Sequence, residues 1–326
     1  MSVAQAVLGC GRWGSFHLWY GHRSGNDVMG WEPPGNPDFQ RLRETGRNSY
    51  LQLPDEVRFT EDVEEIAGSE VMIVTAPAQS FRKLCGILSS IDLSGSDLVL
   101  CMKGIEKGTG MRLTEIARQE ALSPRSLSVW VGPGHPQQFV AGVPSCMIIA
   151  SDSEEDALRI SGIFSSDLIR FYRSRDLVGC EVGAATKNVV GIAAGLLDGL
   201  GMSGLKGALM ARAPQEVARL VSAMGGDWRS VYGLSHLGDY EATLFSPYSH
   251  NRMFGEALAR GGSDDVPRLA EGVDTASAAM ELADRYDVDM PITSAVRKII
   301  AEEMPIEEAI GELFSRPEKE EFSDSF

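Results

Sequence analysis

Apolar residues fall along the first half of the chain in short runs, separated by polar stretches of helical length. The runs Ala6–Leu8, Asp27–Trp31, Val71–Thr75, Leu98–Met102, Leu127–Val131, Ser145–Ala150 and Ile169–Tyr172 predict strands. Helix starts stand between them. Asn36 before Pro37 reads as a cap with proline at the first helical position. Ser153 before Glu154, Glu155 and Asp156 sets acids where a helix N-terminus favours them. Strands alternating with helices at this spacing predict a largely parallel, doubly wound sheet.

Near Asp176 the pattern changes. Residues from Glu181 to Leu200 are small or apolar on every side, which predicts a buried helix. Strand signals then vanish. Helical patterns follow at Ala208–Met224, Asn251–Arg260, Val273–Tyr286 and Ile292–Met304. The expected organisation is an α/β domain over 1–176 and an all-helical domain over 177–326. The acidic, polar tail from Arg316 to Phe326 is expected to fray.

Composition narrows the classes of function. The chain of 326 residues is 43% hydrophobic and 23% charged, as globular domains are. No run of ~18 consecutive apolar residues is present, so no membrane-spanning helix is expected. The N-terminus lacks a basic leader region ahead of its first strand, which argues against secretion. Five scattered cysteines without metal-ligand spacing read as reduced thiols of a cytoplasmic protein, and no metal is expected. A net charge of −16 argues against nucleic-acid or anionic-membrane partners. An anionic ligand must then be held by a few local cations against a repelling field.

The first strand runs into Gly9-Cys10-Gly11-Arg12-Trp13-Gly14. This spacing suits a dinucleotide turn. Gly9 permits the tight bend, Gly11 admits a pyrophosphate to the backbone, and Gly14 lets the helix pack on the strand. The helix N-terminus then offers N–H groups to phosphates. With 35 glycines in the chain the motif alone is weak, and its place after the first strand strengthens it. Glu32, at the end of the second strand, can accept from adenosine ribose hydroxyls and repel a 2′-phosphate. That favours NAD over NADP. The competing reading is a carboxylate pointing to water.

Two lysines stand in unusual places. Lys187 lies inside the small-residue helix, where Asn188 adds a second polar group but no polar face is present for it to join, so its ammonium needs a partner or a cleft. Snorkelling to the surface is the alternative. Lys103 follows the strand Leu98–Met102, at the carboxyl end of the sheet where open α/β folds bind ligands. Polar groups also gather at Gly238–Thr243 and Ser246–Arg252. They read as a ligand loop, although Ser249 or Asn251 can equally cap the following helix.

These blocks together resemble the soluble NAD(P)-dependent sn-glycerol-3-phosphate dehydrogenases, which reduce dihydroxyacetone phosphate. Gly9-x-Gly11-x-Trp13-Gly14, Lys103-Gly104-Ile105-Glu106, Gly132-Pro133, Lys187-Asn188-Val189, Leu237-Gly238-Asp239, Ser249-His250-Asn251-Arg252 and Glu271-Gly272-Val273 match the family's blocks in order. The resemblance implies a Rossmann-like domain followed by a helical domain of the 6-phosphogluconate-dehydrogenase type. It implies a homodimer and a small phosphorylated substrate. It implies Lys187 as general acid, Lys103 as a second charge near the same oxygen, and Asp239 holding Lys187. Asn188, Thr243, Ser249, His250, Asn251 and Gly132 would contact substrate. Gly9, Gly11, Arg12, Trp13, Gly14, Glu32, Lys103 and Glu271 would hold the cofactor.

Two departures bear on the substrate. His250 stands where the family has an arginine, and an imidazole cannot grip a phosphate as a guanidinium does. Gly134-His135-Pro136 replaces Ser-Phe-Ala. Either two histidines share the anion, Arg252 takes the place of the missing group, or the substrate is another hydroxy or keto compound. A catalytically silent NAD(H)-binding protein is the remaining alternative, and the presence of Lys103, Lys187 and Asp239 speaks against it.

Overall fold

The computed structural model describes residues 2–262, 270–318 and 320–321. Its strands are β1 (Ala4–Leu8), β2 (Asp27–Trp31), β3 (Arg58–Thr60), β4 (Val71–Val74), β5 (Asp97–Leu100), β6 (Ser126–Val131), β7 (Ser145–Ser151) and β8 (Ile169–Ser174). They form one sheet in the order β3-β2-β1-β4-β5-β6-β7-β8. Every neighbouring pair is parallel except β6 and β7. The central strands β4 and β5 are buried throughout, as expected of strands covered by helices on both faces. All seven predicted strands are present. The eighth, β3, has only three residues, too few to carry a periodic signal.

Both predicted caps form. Asn36 accepts from the Asp38 and Phe39 N–H groups, and Ser153 accepts from that of Asp156.

The long helix of the second half runs from Leu177 to Gly199, beginning four residues earlier than predicted. By length and mean hydropathy (1.2) it could cross a membrane, but 94% of the qualifying stretch is buried inside the protein. Its glycines explain its composition. A Cβ on Gly195 would lie 2.0 Å from the Arg252 carbonyl oxygen, and one on Gly255 would lie 2.1 Å from that of Ile192. The two helices touch backbone to backbone, so the small residues serve helix contact. The helices Lys206–Ala223, His250–Ala259, Glu271–Tyr286 and Pro291–Ile300 fall where periodicity placed them. Ile306–Phe314 is an additional helix. Residues 319 and 322–326 of the polar tail lie outside the described residues.

The chain divides into two compact units, Met1–Met102 with Leu113–Leu177, and Lys103–Arg112 with Val178–Phe326. A single cut between 176 and 177 therefore misassigns residues 103–112. This segment sits between β5 and β6 in sequence yet packs with the helices. Ile105 joins the apolar cluster of Val182, Val217 and Leu282. Arg112 pairs with Glu181 at 2.6 Å, both side chains buried.

Candidate active site

In the first unit, β1 turns through Gly9 into the helix Arg12–Arg23. Gly9 has φ +97°, and a Cβ there would come 2.7 Å from the Ala76 nitrogen. A Cβ on Gly14 would lie 1.8 Å from the Gly9 carbonyl oxygen. Nothing lies within 4 Å of the Cβ position at Gly11, which is exposed. So two glycines are required by the protein itself, and the third leaves open space beside a helix N-terminus whose first turn holds no acid. That arrangement fits a pyrophosphate.

Glu32 does not point to water. Its Oε1 accepts from the Cys10 N–H at 2.7 Å, within the glycine turn. Burial raises its pKa, and bonds from Cys10 and Asn36 oppose the shift. The carboxylate is thus held beside the turn.

The other residues expected to bind ligands in this unit have contacts within the protein. The half-buried Trp13 ring packs edge-on against Phe16 and Phe139, at the margin of the core. Arg12 begins the helix, and its carbonyl accepts from the Tyr50 hydroxyl. Gly132 has φ +136°, and a Cβ there would sit 3.0 Å from the Met147 Cα. Packing against β7 therefore accounts for that glycine without a ligand.

In the second unit, Lys187 is buried and does not snorkel. Its ammonium lies 2.6 Å from Asp239 Oδ2 and donates to the Thr243 hydroxyl at 2.6 Å. Lys103 reaches the same Asp239 oxygen at 2.8 Å. Thr243 in turn donates to the Asp239 carbonyl at 2.7 Å. Asp239 Oδ1 is buried with no hydrogen-bond partner among the described residues. Two ammonium groups thus share one carboxylate, leaving one positive charge in excess. Burial pushes the Lys187 pKa down to about 8; Asp239 opposes this and Lys103 adds to it. A group poised there can exchange a proton near neutral pH, which an ordinary lysine does poorly.

Several residues expected to touch substrate have structural partners. Asn188 donates its amide to the Lys103 carbonyl at 3.2 Å and so fixes the lysine's backbone. Ser249 caps the helix His250–Ala259 by accepting from the Arg252 N–H. Asn251 accepts from the Gly272 N–H at 2.9 Å. His250 and Glu271 are half-buried first residues of helices. Arg252 does not stand in for the missing family arginine, since its guanidinium binds Asp198 at 3.1 Å and Glu256 at 2.7 Å.

Sequence reasoning did not find His236. It is fully buried, bonded to the Gly183 carbonyl and to Tyr240. Its only signal was a histidine one residue before Leu237-Gly238-Asp239.

Comparison with known proteins places the chain in a family. Residues 4–157 match the family model described as NAD-dependent glycerol-3-phosphate dehydrogenase N-terminus, and residues 176–311 match its C-terminus. Glycerol-3-phosphate dehydrogenase (NAD(P)+) of Prosthecochloris aestuarii is 37% identical over 329 residues, covering 97% of this chain and 98% of that one. A Salinibacter ruber relative of the same name is 32% identical, covering 98% and 97%. The crystal structure of glycerol-3-phosphate dehydrogenase from Coxiella burnetii superposes with a TM-score of 0.90 at 26% identity, covering 97% and 99%. The chain belongs to the NAD-dependent glycerol-3-phosphate dehydrogenase family.

Proposed function

We propose that this protein interconverts dihydroxyacetone phosphate and sn-glycerol 3-phosphate, with Lys187 moving the proton and NAD(H) as preferred cofactor. The observation that carries the reading is the pair of lysines, buried Lys187 and half-buried Lys103, on one carboxylate. Gly9, Gly11, Gly14, Arg12 and Glu32 would hold the cofactor, with Glu32 favouring NAD(H) by repelling a 2′-phosphate. Bound nicotinamide supplies or accepts the hydride.

In the reducing direction the Lys187 ammonium protonates the oxygen that gains charge at the substrate carbonyl. Lys103 stabilises the same developing charge. Asp239 keeps both amines in place and offsets part of the cost of burying them. In the oxidising direction Lys187 must be neutral to take the proton from the alcohol. Turnover of dihydroxyacetone phosphate with NADH, and its collapse in Lys187→Met, tests the assignment. Wild-type turnover by that variant would remove Lys187 from the role. A clear preference for NADPH would overturn the reading of Glu32.

A second reading rests on His250, which stands in the place of a phosphate-gripping arginine. It keeps the hydride and proton chemistry and changes the substrate to another hydroxy or keto compound. A panel of phosphorylated and unphosphorylated ketones separates the two. The helical unit also carries an apolar cleft of about 400 Å³ lined by Leu205, Leu209, Ile292 and Phe314, which supports a homodimer. Sedimentation equilibrium gives the mass directly. None of the five cysteines forms a disulfide, which supports a cytoplasmic location.

A further inference from the structure

We propose that His236 is a positioning residue for Lys187: its imidazole ties the helix that carries the amine to the turn that carries Asp239. This deepens the proposed function and rests on Lys187 as the proton-transfer group. His236 immediately precedes the short 3₁₀ turn Leu237–Asp239 and is fully buried. Its Nδ1 lies 2.8 Å from the Gly183 carbonyl oxygen. Only a protonated nitrogen can make that bond, so Nδ1 is the donor. Nε2 is then the acceptor, and the Tyr240 hydroxyl donates to it at 2.7 Å. Both nitrogens are satisfied in one neutral tautomer.

Gly183 lies four residues before Lys187, on the same face of the same helix. Two neighbours of Asp239 in the turn are therefore pinned, directly or through Tyr240, to the helical turn that presents the amine. The approach is close. A Cβ on Gly183 would meet the His236 Cβ at 3.2 Å and Ser235 Oγ at 3.3 Å. Thr243 closes the other side by bonding both Lys187 and the Asp239 carbonyl. Thr186 contributes little, since its hydroxyl is 3.4 Å from Nδ1 and bonds Val182 at 2.7 Å instead.

The imidazole is not a second acid or base. Burial pushes its pKa down to about 4; Lys187 acts the same way, while the Gly183 carbonyl bond and Asp239 oppose it. It stays neutral through the range in which Lys187 titrates. Its influence on the proton step is therefore geometric. If the brace is lost, Asp239 separates from Lys187, and the ammonium loses its main counter-charge while Lys103 remains nearby. The Lys187 pKa then falls.

The test compares His236→Leu and His236→Asn with Lys187→Met in the intact enzyme. Asparagine places an N–H near the position of Nδ1, and leucine does not. His236→Leu is expected to lower kcat about 30-fold, as misplacement of a reacting group does. The KM for the ketone should change less than about threefold, and the basic limb of the kcat–pH profile should move to lower pH. His236→Asn should restore kcat to within about threefold of wild type and return the limb. If leucine does not yield folded protein, Tyr240→Phe carries the test, with a smaller loss and the same direction of shift.

Wild-type kcat and an unmoved limb in these variants overturn the brace. So does equal impairment by leucine and asparagine with a lowered Tm and an unmoved limb, which marks a merely structural residue. Full activity in Lys187→Met overturns the underlying reading instead, so the two failures are distinguishable.

Discussion

The glycine turn of the first unit and the lysine cluster of the second are built by opposite means. The turn depends on what is missing. Gly9 and Gly14 have no room for a methyl group, and Gly11 leaves a gap that the protein does not fill. The cluster depends on what is present, since two ammonium groups, one buried and one half-buried, crowd one carboxylate oxygen. Failure should differ accordingly. A side chain added to the turn deforms backbone or blocks a ligand. A side chain removed from the cluster changes the charge that the remaining groups must balance.

The largest expected effect is in the cluster. Lys187→Met should lower kcat by about a thousandfold while NADH still binds, within the range that general acid catalysis commands. Fluorescence titration alongside steady-state rates separates the two quantities. The turn comes next, through a paired substitution. Gly14→Ala should cost about 3 kcal/mol in denaturant unfolding, because the added methyl meets a carbonyl oxygen. Gly11→Ala should leave stability within about 0.5 kcal/mol of wild type yet weaken NADH binding at least about tenfold. Equal stability losses at the two positions would erase the distinction between structural and ligand-facing glycines.

The pH dependence sharpens the comparison further. Lys187 has its pKa lowered to about 8. Reduction needs the ammonium, so its kcat should fall as pH rises through about 8. Oxidation needs the free amine and should rise over the same interval. Parallel profiles in the two directions would exclude a shared titrating group.

The smallest effect concerns a second buried histidine. His17, in the glycine-turn helix, packs edge-on against Trp130 at 4.6 Å. Neither of its nitrogens has a hydrogen-bond partner among the described residues. Burial lowers its pKa to about 3, so the unfolded chain takes up the proton first. Stability is therefore lost as pH falls below the unfolded value of roughly 6.5, progressively toward 3. His17→Met should remove that component of acid sensitivity and add about 1 kcal/mol at neutral pH by ending an unmet hydrogen-bonding demand. Urea unfolding at pH 5 and pH 7 measures both. His236, whose nitrogens are both bonded, should show no such gain.

Much of the architecture was legible because buried strands and helices leave periodic signatures. Seven strands and five helices of the second half were marked by apolar pattern alone. β3 was not, because three residues define no period, and the helix Ile306–Phe314 was missed because it is short and carries two glutamates in its first turn. Lys187 was legible for a physical reason, since an ammonium in an apolar helix requires an explanation. Ser249 and Asn251 were harder. A cluster of hydroxyls and amides before a helix looks the same whether it binds a ligand or satisfies N–H groups, and here the N–H groups of Arg252 and Gly272 take them. The His236–Gly183 contact spans 53 positions and has no local pattern at all.

Lys103 and Arg112 are interleaved with sheet residues in sequence but belong with the helices. Recombination at one crossover near position 177 would therefore never transfer the helical module whole. The incoming module would meet another parent's loop in place of its own, so the Arg112–Glu181 and Lys103–Asp239 pairs would each be drawn from two parents. Moving the helical unit as one piece takes two further crossovers, flanking residues 103–112.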